Sequence, residues 1–251
     1  MKDYILECCI DRLESAINGE RGGATRFELC ANLIIGGTTP SLTLFRQVRK
    51  NTNLPIHVLI RNRFGDFCYT DNEIEEMCDS VKEFAKAGAD GVVVGALTPE
   101  GDLDVAAMKK LIEAAGGTKT VLHRAFDMCR EPLVTLEKAK ELGVDTILTS
   151  GQKGNCVEGA GCLKELIERA GKDINILIGA GVNAGAIKKV FEISGGKNYH
   201  MSGKKVIDSR MIYRKEEVSM GLPSLSEYDI WETSEEEIAE AVKVLRELQK
   251  F

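Results

Sequence analysis

Three stretches of the chain begin in the same way: Gly23-Ala-Thr-Arg-Phe-Glu-Leu, Gly88-Ala-Asp-Gly-Val-Val-Val and Gly143-Val-Asp-Thr-Ile-Leu-Thr. In each, a glycine ends a helical pattern, a small or apolar residue and a turn-former follow, and a strand-like run begins. This junction of helix into strand is the unit of a β/α repeat. The helices between the junctions keep their period. From Asp71 to Gly88, Ile74, Met77, Val81, Phe84 and Ala85 fall on one face, and Thr70 with Glu73 has the spacing of a capping box.

Extended along the chain, the pattern predicts strands near 4–9, 25–30, 55–61, 90–95, 118–124, 145–149, 174–179 and 198–202. It predicts helices near 11–20, 41–51, 71–87, 104–115, 132–142, 160–170, 184–194 and 234–249. Eight βα units in 251 residues match a single-domain α/β (β/α)8 TIM-like barrel spanning 1–251. A doubly wound sheet usually has fewer strands and often a glycine-rich turn after the first, and no G-x-G-x-x-G follows residue 9. One interval breaks the repeat: a long connection after strand 8, from Gly203 to Thr233, holds Arg210, Tyr213, Arg214, Met220, Pro223, Tyr228 and Trp231. Connections of that length are functional, plug a barrel, or form a dimer contact, so a homo-oligomer stays open.

Composition narrows the function classes. The formal net charge is −6 and no block of Lys and Arg exists, which argues against sequence-blind binding to nucleic acid or to a membrane surface. No apolar run reaches the roughly 18 residues of a membrane span, and Asp3, Glu7 and Asp11 interrupt the N-terminus where a signal peptide would be apolar. Together these predict a cytoplasmic protein. The eight cysteines lack a CxxC pair and are read as free thiols, and the three histidines are far apart in sequence.

In a TIM barrel the C-terminal strand ends carry the chemistry. Strand 1 ends in Glu7-Cys8-Cys9, strand 2 in Glu28-Leu29-Cys30, strand 3 in Arg61-Asn62-Arg63, strand 5 in His123-Arg124 with Asp127 beyond, strand 6 in Thr149-Ser150-Gly151 and strand 8 in His200-Met201-Ser202. Alternation turns Glu7, Cys9, Glu28 and Cys30 into the barrel mouth. A buried carboxylate needs a partner, and Arg61, Arg63 and Arg124 stand at the same rim. They form either an ion-pair network closing the barrel or a polar pocket for a small anionic or sugar-like metabolite. In the pocket reading Glu7 or Glu28 is a general base, His123 a proton shuttle, Arg61 and Arg124 hold the anion, and Asp127 orients His123 or Arg124. Arg63, Ser150 and His200 complete the ligand contacts. Gly179 and Gly181 after strand 7, with Ser202 after strand 8, could offer backbone N–H groups to a phosphate, or serve only close packing. Cys9 and Cys30, expected roughly 5 Å apart on adjacent strands, would suit a soft ion such as Cu(I), or act as small apolar fillers.

The same residues resemble the CutC family, named as copper homeostasis proteins. The resemblance rests on Glu7-Cys8-Cys9, Phe27-Glu28-Leu29-Cys30, Gly36-Gly37-Thr38-Thr39-Pro40-Ser41, Arg61-Asn62-Arg63-Phe64-Gly65-Asp66-Phe67-Cys68-Tyr69, His123-Arg124-Ala125-Phe126-Asp127 and Leu148-Thr149-Ser150-Gly151. It implies a TIM-like barrel and a cytoplasmic protein tied by name to copper. Copper binding in the family is associated with cysteines, and the cysteine ending its E-L-C motif corresponds to Cys30. No agreed reaction comes with the name. The chain departs from the family's pattern at Asn62, where the family commonly has proline, at Thr38 for leucine and at Leu122 for phenylalanine.

Overall fold

The computed structural model describes residues 4–215, 217–222 and 225–248. Eight parallel strands form a closed barrel in chain order: β1 (Ile5–Ile10), β2 (Arg26–Leu29), β3 (Ile56–Leu59), β4 (Gly91–Val94), β5 (Lys119–Leu122), β6 (Thr146–Thr149), β7 (Asn175–Ile178) and β8 (Asn198–Met201). Closure is direct, because β1 pairs with both β2 and β8. The helices α1 (Leu13–Gly22), α2 (Leu42–Asn51), α3 (Asp71–Lys86), α4 (Val105–Ala115), α5 (Pro132–Glu141), α6 (Ala160–Ala170), α7 (Ala184–Ser194) and α8 (Glu235–Leu248) follow the strands in turn. The TIM-like barrel expected from the repeat is therefore the architecture. The predicted last residue of the final helix, 249, lies outside the described residues.

Local chemistry explains the boundaries. Thr70 accepts from Glu73 N–H while the Glu73 side chain accepts from Thr70 N–H, so the capping box starts α3. Pro132 occupies the first turn of α5, where its missing N–H costs nothing. Strands β3 and β5 end earlier than the sequence pattern suggests. Beyond them, Ile60 N–H still donates to Val93 O, and His123 N–H to Val94 O. Arg61 and His123 thus leave the sheet on fixed backbone and keep their inward parity.

Two apolar regions sit on opposite faces of the sheet. The large one lies between strands and helices and includes Leu6, Cys8, Phe27, Leu29, Val92 and Val94. The small one fills the barrel with Cys9, Cys30, Leu59, Val93, Val121, Leu148 and Leu177. The remaining inward positions are largely polar, and Gly91 in β4 and Gly95 just beyond it make room for two of them. A Cβ on Gly91 would meet the His57 ring at 2.6 Å, and one on Gly95 would meet the His123 ring at 2.6 Å. Both glycines are required because an imidazole from a neighbouring strand occupies their side-chain space.

The interval after β8 holds a two-stranded antiparallel ribbon, β9 (Lys204–Asp208) and β10 (Asp229–Thr233), in which Val206 faces Trp231. Thr233 Oγ1 donates to Ser202 O at 3.1 Å, and Thr233 N–H to Ser15 Oγ at 3.1 Å, so the ribbon is tied down beside the barrel mouth. Between its strands, Met211, Ile212, Tyr213 and Met220 are exposed. Pro223, singled out in the sequence, lies outside the described residues.

Candidate active site

A cavity of about 360 Å³ opens at the C-terminal end of the strands. Glu28, Cys9 and His200 line its inner part, Arg61, Phe67 and His123 one wall, and Trp231 the ribbon side. Gly181, Ser202 and Arg124 also line it.

Glu7 is the anchor beneath this floor. It is 1% exposed and its strand neighbours on both sides are polar: Arg26 and His200 are its register partners on β2 and β8. Arg26 Nε donates to Glu7 Oε2 at 2.5 Å, and His200 Nδ1 donates to Glu7 Oε1 at 2.8 Å. Burial alone would raise the Glu7 carboxyl, but the Arg26 guanidinium and the His200 ring outweigh it and hold Glu7 well below the usual carboxylate range. Arg26 is the partner that the sequence reading missed. It lies two residues before Glu28 on the same face of β2, where alternation points it inward, but at the strand's start and not at the C-terminal end where barrel chemistry is expected.

Glu28 behaves in the opposite sense. Burial, then the nearby Glu7 charge, raise its carboxyl despite the opposing pull of His200, whose Nε2 stands 3.8 Å from Glu28 Oε2. Burial works against the His200 cation, yet Cys9, Glu28 and Glu7 around it raise its pKa well above the ordinary value. The floor of the cavity therefore carries a carboxyl inclined to hold its proton beside an imidazolium braced on a fixed carboxylate. Glu7, Glu28 and His200 each also present a ligand atom within 4.8 Å of the others, the one such triad of metal-capable donors among the described residues.

Arg61 does not partner either glutamate. Its Nη1 donates to Gly37 O at 3.1 Å and its Nη2 to Gly65 O at 2.7 Å, so it pins the loops after β2 and β3. It is 7% exposed, pairs with no carboxylate among the described residues, and leaves Nε without a partner. A nearly buried cation without a counter-ion gives this wall of the cavity an unbalanced positive charge. Phe67 stands between Arg61, 5.0 Å from its ring, and His123, 4.9 Å away. Burial and then the Arg61 charge push the His123 pKa down to about 3, and its Nδ1 accepts from Ala125 N–H at 3.1 Å. The neutral ring carries its proton on Nε2, which suits it to donate a hydrogen bond rather than to shuttle protons as the sequence suggested.

Several other expected residues serve the scaffold. Arg63 is outside the cavity and is engaged by Glu73 at 2.5 Å and Asp66 at 3.1 Å. Asp127 has no contact with His123. It accepts from Thr149 Oγ1, Ser150 N–H and Gln152 N–H and holds Arg124 at 2.7 Å, clamping the loop after β6 to that after β5. Ser150 belongs to this clamp and does not line the cavity. Gly179 offers no free N–H, since it donates to Thr149 O at 2.9 Å, and a Cβ there would meet Leu148 at 2.7 Å. Gly181, with φ of 69°, does line the cavity.

The cysteines are both inward and within one interior cluster, but they do not face each other. Cys9 is opposite Glu28, because the barrel's stagger offsets the two strands, and Cys30 lies one pleat further along. Cys30 Sγ donates to Glu28 Oε2 at 3.2 Å, and burial followed by the Glu28 charge raises its thiol well above the usual range. A two-thiolate copper site needs both sulfurs deprotonated, and this environment opposes that at Cys30. All eight cysteines are free.

Comparison with known proteins agrees with this architecture. The model of the CutC family matches residues 4–205. The family protein CutC of Bacteroides fragilis is 44% identical over 233 residues, covering 91% of this chain and 92% of its own. The human copper homeostasis protein cutC homolog is 40% identical over 228 residues, covering 90% of this chain and 84% of its own. The crystal structure of the Streptococcus agalactiae protein described as a putative copper homeostasis protein CutC superposes with a TM-score of 0.76 at 29% identity, covering 79% of this chain and 98% of that one. A phosphoribosylanthranilate isomerase of Thermotoga maritima, at 11% identity and a TM-score of 0.58 over 97% of this chain and 99% of that one, shares the fold alone. With its family model, its relatives and its barrel in agreement, the chain belongs to the CutC family.

Proposed function

We propose that the barrel mouth is a catalytic pocket for a small anionic, hydroxyl-bearing metabolite, with Glu28 and His200 moving a proton on it. The observation that carries this reading is the geometry of the pair: Glu28 and His200 stand 3.8 Å apart at the floor of a cavity, with His200 braced from below by Glu7 and Glu7 by Arg26, a setting that favours the protonated form of both. Protonated Glu28 can donate to a ligand oxygen and take a proton back, while the His200 cation stabilises negative charge developing on the ligand. The unbalanced Arg61 charge attracts the ligand's anionic group, and His123 Nε2–H supplies a neutral donor on the same wall. Trp231 and Phe67 add apolar surface to the lining beside which a sugar-like ring or carbon chain would lie. All eight thiols being free fits a cytoplasmic setting.

A second reading, Cu(I) held by Cys9 and Cys30, draws on the names of the human and streptococcal relatives and on Cys9 lining the cavity beside His200. The pairing of Cys30 with Glu28 weighs against it. Competition with a Cu(I) chelator, comparing wild type with the Cys9→Ala/Cys30→Ala double variant, tests it. Equal copper affinity in the two proteins removes this pair as the site.

The catalytic reading is tested with a panel of sugar phosphates and hydroxy acids, screened by thermal shift on wild type and Arg61→Lys. Each hit is then incubated in D2O and analysed by mass spectrometry with wild type, Glu28→Gln and His200→Gln. Stabilisation by a panel member, weakened in Arg61→Lys, with deuterium incorporation or turnover lost in the other two, is the expected result. A wild-type protein that no anionic member stabilises, or one whose turnover survives Glu28→Gln, contradicts it.

A further inference from the structure

The barrel has a second polar cavity at its opposite end, of about 500 Å³, built on the starts of β1 to β5. Its lining includes Tyr4, Arg26, His57, Asp90 and Lys119. Three of these side chains are more than nine-tenths buried, Tyr4 at 5%, Arg26 at 7% and His57 at 2% exposure. Each leaves one polar atom without a hydrogen bond: Tyr4 Oη, Arg26 Nη2 and His57 Nδ1, the last standing 3.8 Å from Glu7 Oε2. Buried polar groups are satisfied in the great majority of cases, so the two that have no carboxylate beside them, Tyr4 Oη and Arg26 Nη2, call for a common explanation.

The lining has an excess of donors. Arg26 keeps Nε on Glu7 and has Nη2 to spare. Lys119 is exposed at the rim and makes no ion pair among the described residues. Asp90, the one acid in the lining, is already committed, since its Oδ2 accepts from Arg49 Nη1 at 3.0 Å and from Ile56 N–H at 2.8 Å. His57 is neutral at ordinary pH, its pKa pushed down to about 4 first by burial, with the Arg26 and Lys119 charges adding to it against the Glu7 carboxylate. Beyond Asp90, whose charge is met by Arg49, the lining offers no anionic acceptor to Arg26 Nη2, Lys119 and Tyr4 Oη.

We propose that this lower cavity is a binding site for a small oxyanion, a carboxylate or phosphate group, held by Arg26, Lys119 and Tyr4. The site is independent of the chemistry proposed for the mouth, but not isolated from it. Glu7 lies between the two cavities, with Oε2 on Arg26 and Oε1 on His200. An anion drawn to Arg26 competes with Glu7 for its charge and leaves Glu7 more firmly on His200, so occupancy below tightens the cation above.

The test uses inorganic phosphate as the probe, titrated calorimetrically into wild type, Lys119→Ala, Tyr4→Phe and the mouth variant Arg61→Lys. Lys119 is exposed and Tyr4→Phe removes only a hydroxyl, and circular dichroism checks that each variant folds. The expected result is saturable binding to wild type with a component that is weakened about tenfold or more in Lys119→Ala and severalfold in Tyr4→Phe, as for loss of hydrogen bonds to a charged group, and that Arg61→Lys leaves in place. In phosphate-free buffer Tyr4→Phe is expected to be no less stable than wild type, because it removes an unsatisfied hydroxyl. Absence of saturable binding to wild type overturns the proposal. So does binding that Lys119→Ala and Tyr4→Phe leave unchanged, and binding that only Arg61→Lys weakens, which would put the anion at the mouth.

Discussion

Glu7 and His200 are register partners across the seam where β1 meets β8, and their side chains meet inside the barrel at 2.8 Å. The contact that closes the barrel is thus the one that holds the candidate catalytic imidazolium. Arg26 braces the same carboxylate from the other side, through its own register pairing on β2. Fold closure and site electrostatics rest on one buried charge.

Removing Arg26 therefore takes from Glu7 the stronger of its two charged partners. Arg26→Met is expected to lose about 3–5 kcal/mol of stability, the usual cost of leaving a buried charge without its partner. Glu7→Gln in the same background should recover a large part of it, because the stranded charge is gone. Urea unfolding of the two single variants and the double variant measures this. Losses that simply add would contradict the pairing.

Glu28 and Glu7 contribute to pH dependence with opposite signs. Glu7 is depressed in the folded state, so its contribution is present above the unfolded carboxylate range and fades as pH falls. Glu28 is raised by burial and by Glu7, so its contribution is complete below the unfolded value, near 4.3, and is lost as pH rises through the folded-state value. Glu28→Gln imitates the protonated form. It should be more stable than wild type at about pH 8 and lose that advantage by about pH 4. Chemical unfolding at the two pH values decides, and a variant less stable at the higher value contradicts the raised carboxyl.

Gly95, just beyond β4, makes a steric prediction. Gly95→Ala drives a Cβ into the His123 ring and should cost about 1–3 kcal/mol, typical of overpacking. Gly161→Ala, within α6 and with nothing within 4 Å of the added carbon, should instead stabilise by about 0.5–1 kcal/mol. Thermal unfolding of both variants gives the comparison. A Gly95→Ala protein as stable as wild type would mean that the His123 ring is not held against β4.

The barrel was legible in the sequence because its repeat is local: glycine junctions, capping signals and helical periods each act within a few residues. The inward parity of Glu7, Glu28, Cys9 and Cys30 was legible for the same reason, since alternation along one strand needs no knowledge of its neighbour. Pairings across strands were not. Which arginine meets Glu7 depends on the stagger between β1 and β2, and that stagger also separates Cys9 from Cys30 by placing Glu28 opposite Cys9. The β9–β10 ribbon was hidden because its strands are short and some 20 residues apart, with no tight-turn signal to join them. Of the two partners expected for Asp127 it holds Arg124 and not His123, and its further grip on Thr149, Ser150 and Gln152 was hidden because a carboxylate's choice among nearby backbone N–H groups is a property of the folded loops.

The chain contains three histidines, and the account gives each a different state. His200 should be an imidazolium at neutral pH, titrating above 6.5, while His57 and His123 should be neutral, with pKa values near 4 and 3. Nitrogen NMR of the protein labelled with 15N-histidine, followed through a pH titration and assigned with His→Gln variants, reads all three directly. One ring remaining protonated well above the ordinary histidine range, and lost in His200→Gln, is the predicted result. A His200 that titrates at or below about 6.5 would contradict the charged floor on which the proposed chemistry depends.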